Sequence, residues 1–139
     1  MKKIAYFLAK SDPDDYGLDE LERDGQTTWD GVKNPQALAA LRTMRQGDCV
    51  LVYHSGGISA IVGWAYAASD PRPDPQQEKL SVIDLRFGGR LAEPVPLSRI
   101  KAEPGFADFA LVRQGRLSTM AVPAAFIQWL KKTSPDFRP

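Results

Sequence analysis

Two residue types that build many sites are almost missing from this chain. Its 139 residues include one cysteine, Cys49, and one histidine, His54. A lone cysteine excludes an internal disulfide framework and any CxxC pair. A lone histidine excludes the His and Cys clusters that hold zinc, so neither a metal nor another cofactor is expected. No apolar run approaches the ~20 residues a membrane helix needs, and no membrane partner is expected. The start, Met1-Lys2-Lys3 followed by six mostly apolar residues, is too short for a secretory h-region and carries no cleavage pattern. A cytoplasmic protein is the expectation, associated with the nucleoid if the source is a bacterium. Charge of one sign is scarce too: 18 basic against 17 acidic side chains leave +1. That balance excludes a protein that holds nucleic acid by bulk charge alone.

What is present describes an ordinary globular domain. Apolar residues are 43% and charged residues 25% of the chain, and the length suits one domain over residues 1–139, expected to be monomeric. Charge is distributed unevenly. Residues 1–30 carry 4 basic and 8 acidic side chains, so the remainder is net basic. An acidic solvated segment explains this, and so does a basic face elsewhere on the domain.

The pattern of apolar and turn residues predicts short elements in mixed order. Ile4 to Leu8 reads as a strand, ended by Lys10-Ser11-Asp12-Pro13-Asp14-Asp15. Leu18 to Arg23 reads as a turn and a half of helix closed by Gly25. Asn34-Pro35 is a cap followed by proline at the first helical position, and Ala37, Leu38, Leu41 and Met44 recur on one face until Gly47. Cys49 to Tyr53 is a strand, and Gly56-Gly57 turns it into a second over Ile58 to Ala67. Asp70 to Pro75, with three prolines, reads as an exposed loop. Leu80 to Phe87 is a strand that Gly88-Gly89 turns. Pro94 to Lys101 reads as loop and short helix, Glu103 to Ala110 as an irregular connection, and Arg116 to Ala121 as a short strand. Pro123 opens a last helix with Phe126, Ile127 and Leu130 on its buried stripe. Five short strands and about three helices make an α+β domain around a curved or barrel-like sheet.

Three stretches hold candidate functional residues. Trp29-Asp30-Gly31-Val32-Lys33-Asn34 places a tryptophan in a loop, off any periodic apolar face. The indole either plugs the core's edge or offers a stacking platform to a planar ligand. Asn34 either caps its helix or presents a donor and an acceptor to a base edge. Tyr53-His54-Ser55 ends a strand. Neighbouring strand residues point to opposite faces, so His54 and Ser55 make a poor nucleophile pair, and there is no GxSxG elbow. His54 reads best as a hydrogen-bonded strand-end residue. Arg113-Gln114-Gly115-Arg116-Leu117-Ser118 sets two guanidinium forks around a glycine, suited to phosphate or to surface carboxylates. Cys49, inside a strand, reads as inert core. The residues alone point to a small binding module without enzymatic machinery.

Taken together, six blocks in order resemble the EVE domain. They are Lys10-Ser11-Asp12-Pro13-Asp14, Trp29 to Asn34, Gly47-Asp48 with Tyr53-His54-Ser55, Ile61-Val62-Gly63, Val82 to Phe87, and Arg113 to Ser118. The resemblance runs from Ile4 to about Leu130. It implies a PUA-like fold, a strongly bent pseudo-barrel of five to six strands in a mixed sheet flanked by short helices, and kinship with YTH domains. It also implies a reader of modified bases, above all modified cytosine in DNA, that accepts a flipped nucleotide in an aromatic cage. Carried over residue by residue, Trp29 is the cage tryptophan. Lys10, Ser11, Asp30, Val32, Asn34, Tyr53, His54 and Ser55 line the same pocket, with Arg113, Gln114, Arg116 and Ser118 contributed from beside it. The family often has a longer polar turn after its His-Ser pair and an aromatic insertion near Pro71 to Gln77. Both are short here, and if that insertion supplies a cage wall the pocket is half open. Modified DNA or RNA is the expected partner. RNA-binding, catalysis on a base with His54 or Asp30 as general base, and a protein-interaction surface are the rival readings.

Overall fold

The computed structural model describes residues 3–139; Met1 and Lys2 of the N-terminal segment discussed above lie outside the described residues. Strand β1 (Tyr6–Ser11) is followed by helices α1 (Pro13–Tyr16) and α2 (Leu18–Asp24), strand β2 (Gln26–Trp29) and helix α3 (Pro35–Thr43). Then come β3 (Cys49–His54), β4 (Ala60–Ala67), the two-residue β5 (Arg72–Pro73) and the 16-residue β6 (Ser81–Pro96). Helix α4 (Leu97–Lys101), a 3₁₀ turn at Pro104–Phe106, α5 (Ala110–Arg113), β7 (Thr119–Ala121) and α6 (Ala124–Thr133) complete the chain.

The strands form one mixed sheet in the order β2-β6-β4-β3-β1-β7, with β5 pairing only β6. This is the expected α+β, PUA-like architecture, with six strands on the main path. β1 and β3 run parallel, Lys10 beside Tyr53 and Ser11 beside His54, and all other pairs are antiparallel. The centre is apolar on both faces: Cys49 through Tyr53 are all buried, as are Phe7, Leu8 and Ala9. Helix α3 covers the sheet with Ala37, Leu38 and Leu41, and α6 with Phe126, Ile127 and Leu130. Truncating a leucine enclosed like Leu41 costs about 2–5 kcal/mol, so these faces set where the helices sit.

The boundaries of several elements differ from the sequence-based expectation, each for a physical reason. Gly88-Gly89 does not turn the chain: β6 runs straight through it. The pair is there because the Trp64 indole lies across it; a Cβ on Gly88 would come within 2.6 Å of the ring, and one on Gly89 would also overlap it. Register shifts in the β4–β6 pairing at Ile61/Gly63 and Trp64/Ala65 bend the sheet at this point. Arg72–Pro73, expected as loop, pairs with Val82 and Ser81. Proline is tolerated there because it sits at the sheet's edge, where no ladder N–H is needed. The expected strand over Arg116 to Ala121 is confined to Thr119–Ala121, and the first strand starts at Tyr6 rather than Ile4. Trp29 ends a strand, β2, opposite Ile83, and does not lie in a loop.

Candidate nucleic-acid interface

A cavity of about 400 Å³ opens where the ends of β1 and β2 meet. β1 delivers Lys10 and Ser11, the following turn and α1 deliver Asp12, Asp15 and Tyr16, β2 delivers Thr27, Thr28 and Trp29, and the next residues are Asp30, Gly31 and Val32. Ser118 enters from the segment before β7. The volume is within the ~300–1,000 Å³ typical of small-molecule sites.

Two aromatic side chains wall the cavity. The half-buried Trp29 indole meets the Tyr16 ring edge to face, with centroids 6.5 Å apart and planes at 83°. Tyr16 is held in turn: its hydroxyl donates to Asp24 Oδ2 at 2.8 Å, and Arg23 pairs with the same carboxylate. Burial is the main cause that raises the Tyr16 phenol above its ordinary pKa, so the ring is a neutral wall at physiological pH. Asp12 caps α1, accepting from the Asp14 N–H at 2.9 Å, with Pro13 at the first helical position. That Asp-Pro pair is the start signal of the short helix presenting Tyr16, a residue that the reading of the sequence left out.

The polar lining is unequal in sign. Asp12, Asp15 and Asp30, all exposed, surround a single cation, Lys10. Lys10 is already tethered: its Nζ donates to the Gly115 carbonyl at 2.9 Å and lies 5.3 Å from the centre of the Tyr53 ring. Burial lowers its pKa below the usual lysine value. Ser11 Oγ is enclosed and has no hydrogen-bond partner among the described residues. An enclosed hydroxyl left without a partner is costly, and a ligand's polar edge would relieve it. Val32 is buried and gives the lining an apolar patch.

Of the thirteen residues singled out in the sequence, Lys10, Ser11, Trp29, Asp30, Val32 and Ser118 line this cavity; the other seven do not. Asn34 serves as the cap of α3, its Oδ1 accepting from the Gln36 and Ala37 N–H groups at 2.9 and 3.0 Å. Tyr53 is buried in the core beneath Lys10, and burial raises its phenol pKa. The His54 ring packs under the α1–α2 junction, where its Nε2 accepts the Leu18 N–H at 3.0 Å. Burial is the main cause that lowers the imidazole below the ordinary histidine pKa, which suits a neutral ring whose Nε2 is an acceptor. Ser55 braces Ser11, its N–H donating to the Ser11 carbonyl at 2.9 Å. The block after α5 reaches the cavity through Ser118 and the Gly115 carbonyl. Arg113, Gln114 and Arg116 are exposed outside it, with Arg113 3.5 Å from Asp108. Cys49 is buried, its thiol pushed up to about 12, chiefly by burial, and it is inert core as expected.

Comparison with known proteins gives this arrangement a context. The model of a family described as the EVE domain matches residues 5–133. Thymocyte nuclear protein 1 of Mus musculus is 30% identical over 69% of this chain and 55% of its own length. The chain thus spans about half the length of the curated relatives it matches. Among solved structures, Rpa0253 from Rhodopseudomonas palustris has 34% identity and a TM-score of 0.90, covering 98% of this chain and 97% of that one. Human THYN1 protein in complex with 5-methylcytosine-containing DNA has a TM-score of 0.85, covering 97% of this chain and 99% of that one. At 20% identity, that last likeness is one of fold.

Proposed function

The chain belongs to the EVE domain family, and from that premise we propose that it is a non-enzymatic module that reads a modified base in nucleic acid. The base, a modified cytosine in DNA, is taken up as a flipped nucleotide in the corner formed by Trp29 and Tyr16. The observation that carries this reading is the aromatic corner itself, a half-buried indole and a perpendicular phenol on a cavity large enough for one base. The human THYN1 complex with 5-methylcytosine-containing DNA supports it by analogy of fold.

The polar groups suit that ligand. Cytosine carries an exocyclic amine, and carboxylates such as Asp12, Asp15 and Asp30 are its natural acceptors. The unpartnered Ser11 hydroxyl can donate or accept at the same edge. Flipping costs a few kcal/mol, and stacking on one aromatic returns about 1–3 kcal/mol, so edge hydrogen bonds must supply the rest. A buried 5-methyl group adds about 0.8 kcal/mol, roughly fourfold in affinity. His54 is disfavoured as a general base, since its Nε2 is occupied by the Leu18 N–H and it lies outside the cavity lining, which leaves Asp30 as the candidate for the catalytic rival. A binding screen with one oligonucleotide sequence tests the reading, its central position carrying cytosine, modified cytosines or modified adenines on DNA and RNA backbones. The expected result is tightest binding to a modified cytosine in DNA. Equal affinity for every base, or product formation, would refute it.

A further inference from the structure

The net positive charge of residues 31–139 has no role in the cavity just described, whose rim is acidic. Part of it lies in a second cleft. Arg42 and Arg45 at the end of α3, Arg72 of β5 and Ser81 of β6 line a cavity of about 410 Å³ together with Asp70 and two prolines. Of the three guanidinium groups facing this concavity, only Arg72 is ion-paired, with Asp84, so Arg42 and Arg45 repel each other unless an anion joins them.

Hydrogen bonds fix the forks of Arg42 and Arg45 without neutralising them, whereas Arg72 is paired with Asp84. Arg42 Nε donates to Ser81 Oγ at 3.0 Å and its Nη2 to the Lys79 carbonyl at 2.7 Å. Arg45 Nη1 donates to the carbonyls of Arg42 and Met44 at 2.9 and 2.6 Å. Neither arginine has a carboxylate within salt-bridge distance among the described residues. Asp70, the one acid in the cleft, accepts from the Gln46 N–H at 2.9 Å. Guanidiniums held by neutral acceptors, with N–H groups to spare, are suited to a tetrahedral oxyanion.

The cleft is also wired to the aromatic cavity. Arg72 Nη2 and Thr28 Oγ1 both donate to Asp84 Oδ1, each at 2.9 Å, and Thr28 lines the first cavity while Arg72 lines the second. Helix α3 starts three residues past Val32 and carries Arg42 about 10 Å along its axis from Pro35.

We propose that Arg42, Arg45 and Arg72 form an oxyanion site that holds a backbone phosphate of the strand whose base enters the Trp29–Tyr16 cavity. Its phosphate source rests on the reader assignment; the anion chemistry does not. The experiment measures affinity for a 5-methylcytosine DNA oligonucleotide and its unmodified twin against salt, in the wild type, Arg42→Gln, Arg45→Gln and Arg45→Lys. A parallel titration follows the arginine Nε–H NMR signals with inorganic pyrophosphate. The wild-type slope of log K against log salt is expected to be shallow, about −1.5 to −3.5 for two to four phosphates. Arg45→Gln should reduce it by about 0.7–0.9 and weaken both oligonucleotides about five- to eightfold at 0.1 M salt, with their ratio unchanged. Arg45→Lys should retain most of the slope. Arg42→Gln checks the same contact from the other fork. Unchanged slopes in both Gln variants would overturn the proposal, even if pyrophosphate alone binds. Pyrophosphate shifts at Arg42 and Arg45 without binding of any oligonucleotide would support the anion site and refute the reader assignment.

Discussion

Trp29→Ala asks whether the indole serves a ligand or the core. Trp29 is half-buried at the end of β2, with the Tyr16 ring edge-on at 6.5 Å. Losing that aromatic pair and part of the indole's buried area should cost about 1–2 kcal/mol of stability, against about 3–5 kcal/mol for a tryptophan enclosed on all sides. For a chain of this length that is a fall in Tm of about 3–7 °C. Binding should suffer more. The base loses its stacking partner, worth about 1–3 kcal/mol, or roughly 5- to 150-fold in Kd. Calorimetric titration with a 5-methylcytosine oligonucleotide and a thermal melt on the same samples separate the two effects. Trp29→Phe should keep most of the affinity, because the π-face remains while the indole N–H is lost. A variant that melts as a cavity mutant yet binds like the wild type once folded would remove Trp29 from the site.

His54 should make stability depend on pH. Burial lowers its folded pKa below the unfolded value of about 6.5, so its contribution is full above that pH and is lost as pH falls through the folded pKa. Asp19 and Glu20 push the other way, and Arg90 adds to the lowering. The difference in urea midpoint between wild type and His54→Gln should shrink from pH 7.5 to pH 5; a constant difference would refute this. Gly89→Ala should destabilise by about 1–3 kcal/mol or more, because its Cβ would overlap the buried Trp64 ring. Gly105→Ala, with nothing within 4 Å of its Cβ, is the matched control and should be neutral or slightly stabilising in the same denaturation assay.

The elements legible in the sequence are those that local chemistry decides. Asn34-Pro35 fixes the start of α3 because a cap and a proline at the first helical position are both short-range signals, and the observed helix begins there. The strands Cys49–His54 and Ala60–Ala67 follow from runs of β-branched and aromatic residues with a Gly-Gly turn between them. Gly88-Gly89 misleads for the opposite reason. Its glycines answer to Trp64, two dozen residues earlier in the chain, and such a demand leaves no mark in the local pattern. β2 is equally obscure, since Gln26–Trp29 alternates exposed and half-buried positions at the sheet's edge and depends on β6 for its ladder.

The site divides along the same line. Lys10, Ser11, Trp29, Asp30, Val32 and Ser118 reach the cavity because each sits on, or within three residues of, a strand end that the fold brings to one place. His54 and Asn34 are polar residues in the right blocks whose side chains are consumed by backbone N–H groups, one at the α1–α2 junction and one at the start of α3. They act on the cavity at one remove. His54 anchors the junction from which Tyr16 projects, and Asn34 anchors the helix that follows Val32. Tyr16 is the counterpart: an aromatic in an acidic turn that looks merely solvated. It becomes a wall only because the Asp12 cap, the Pro13 start and the His54 contact fold that turn back over β2. The segment from Pro71 to Gln77 lends no residue to the cavity, which still has two aromatic walls. The second wall comes from α1, and within the segment from Pro71 to Gln77 strand β5 sets Arg72 at the arginine cleft.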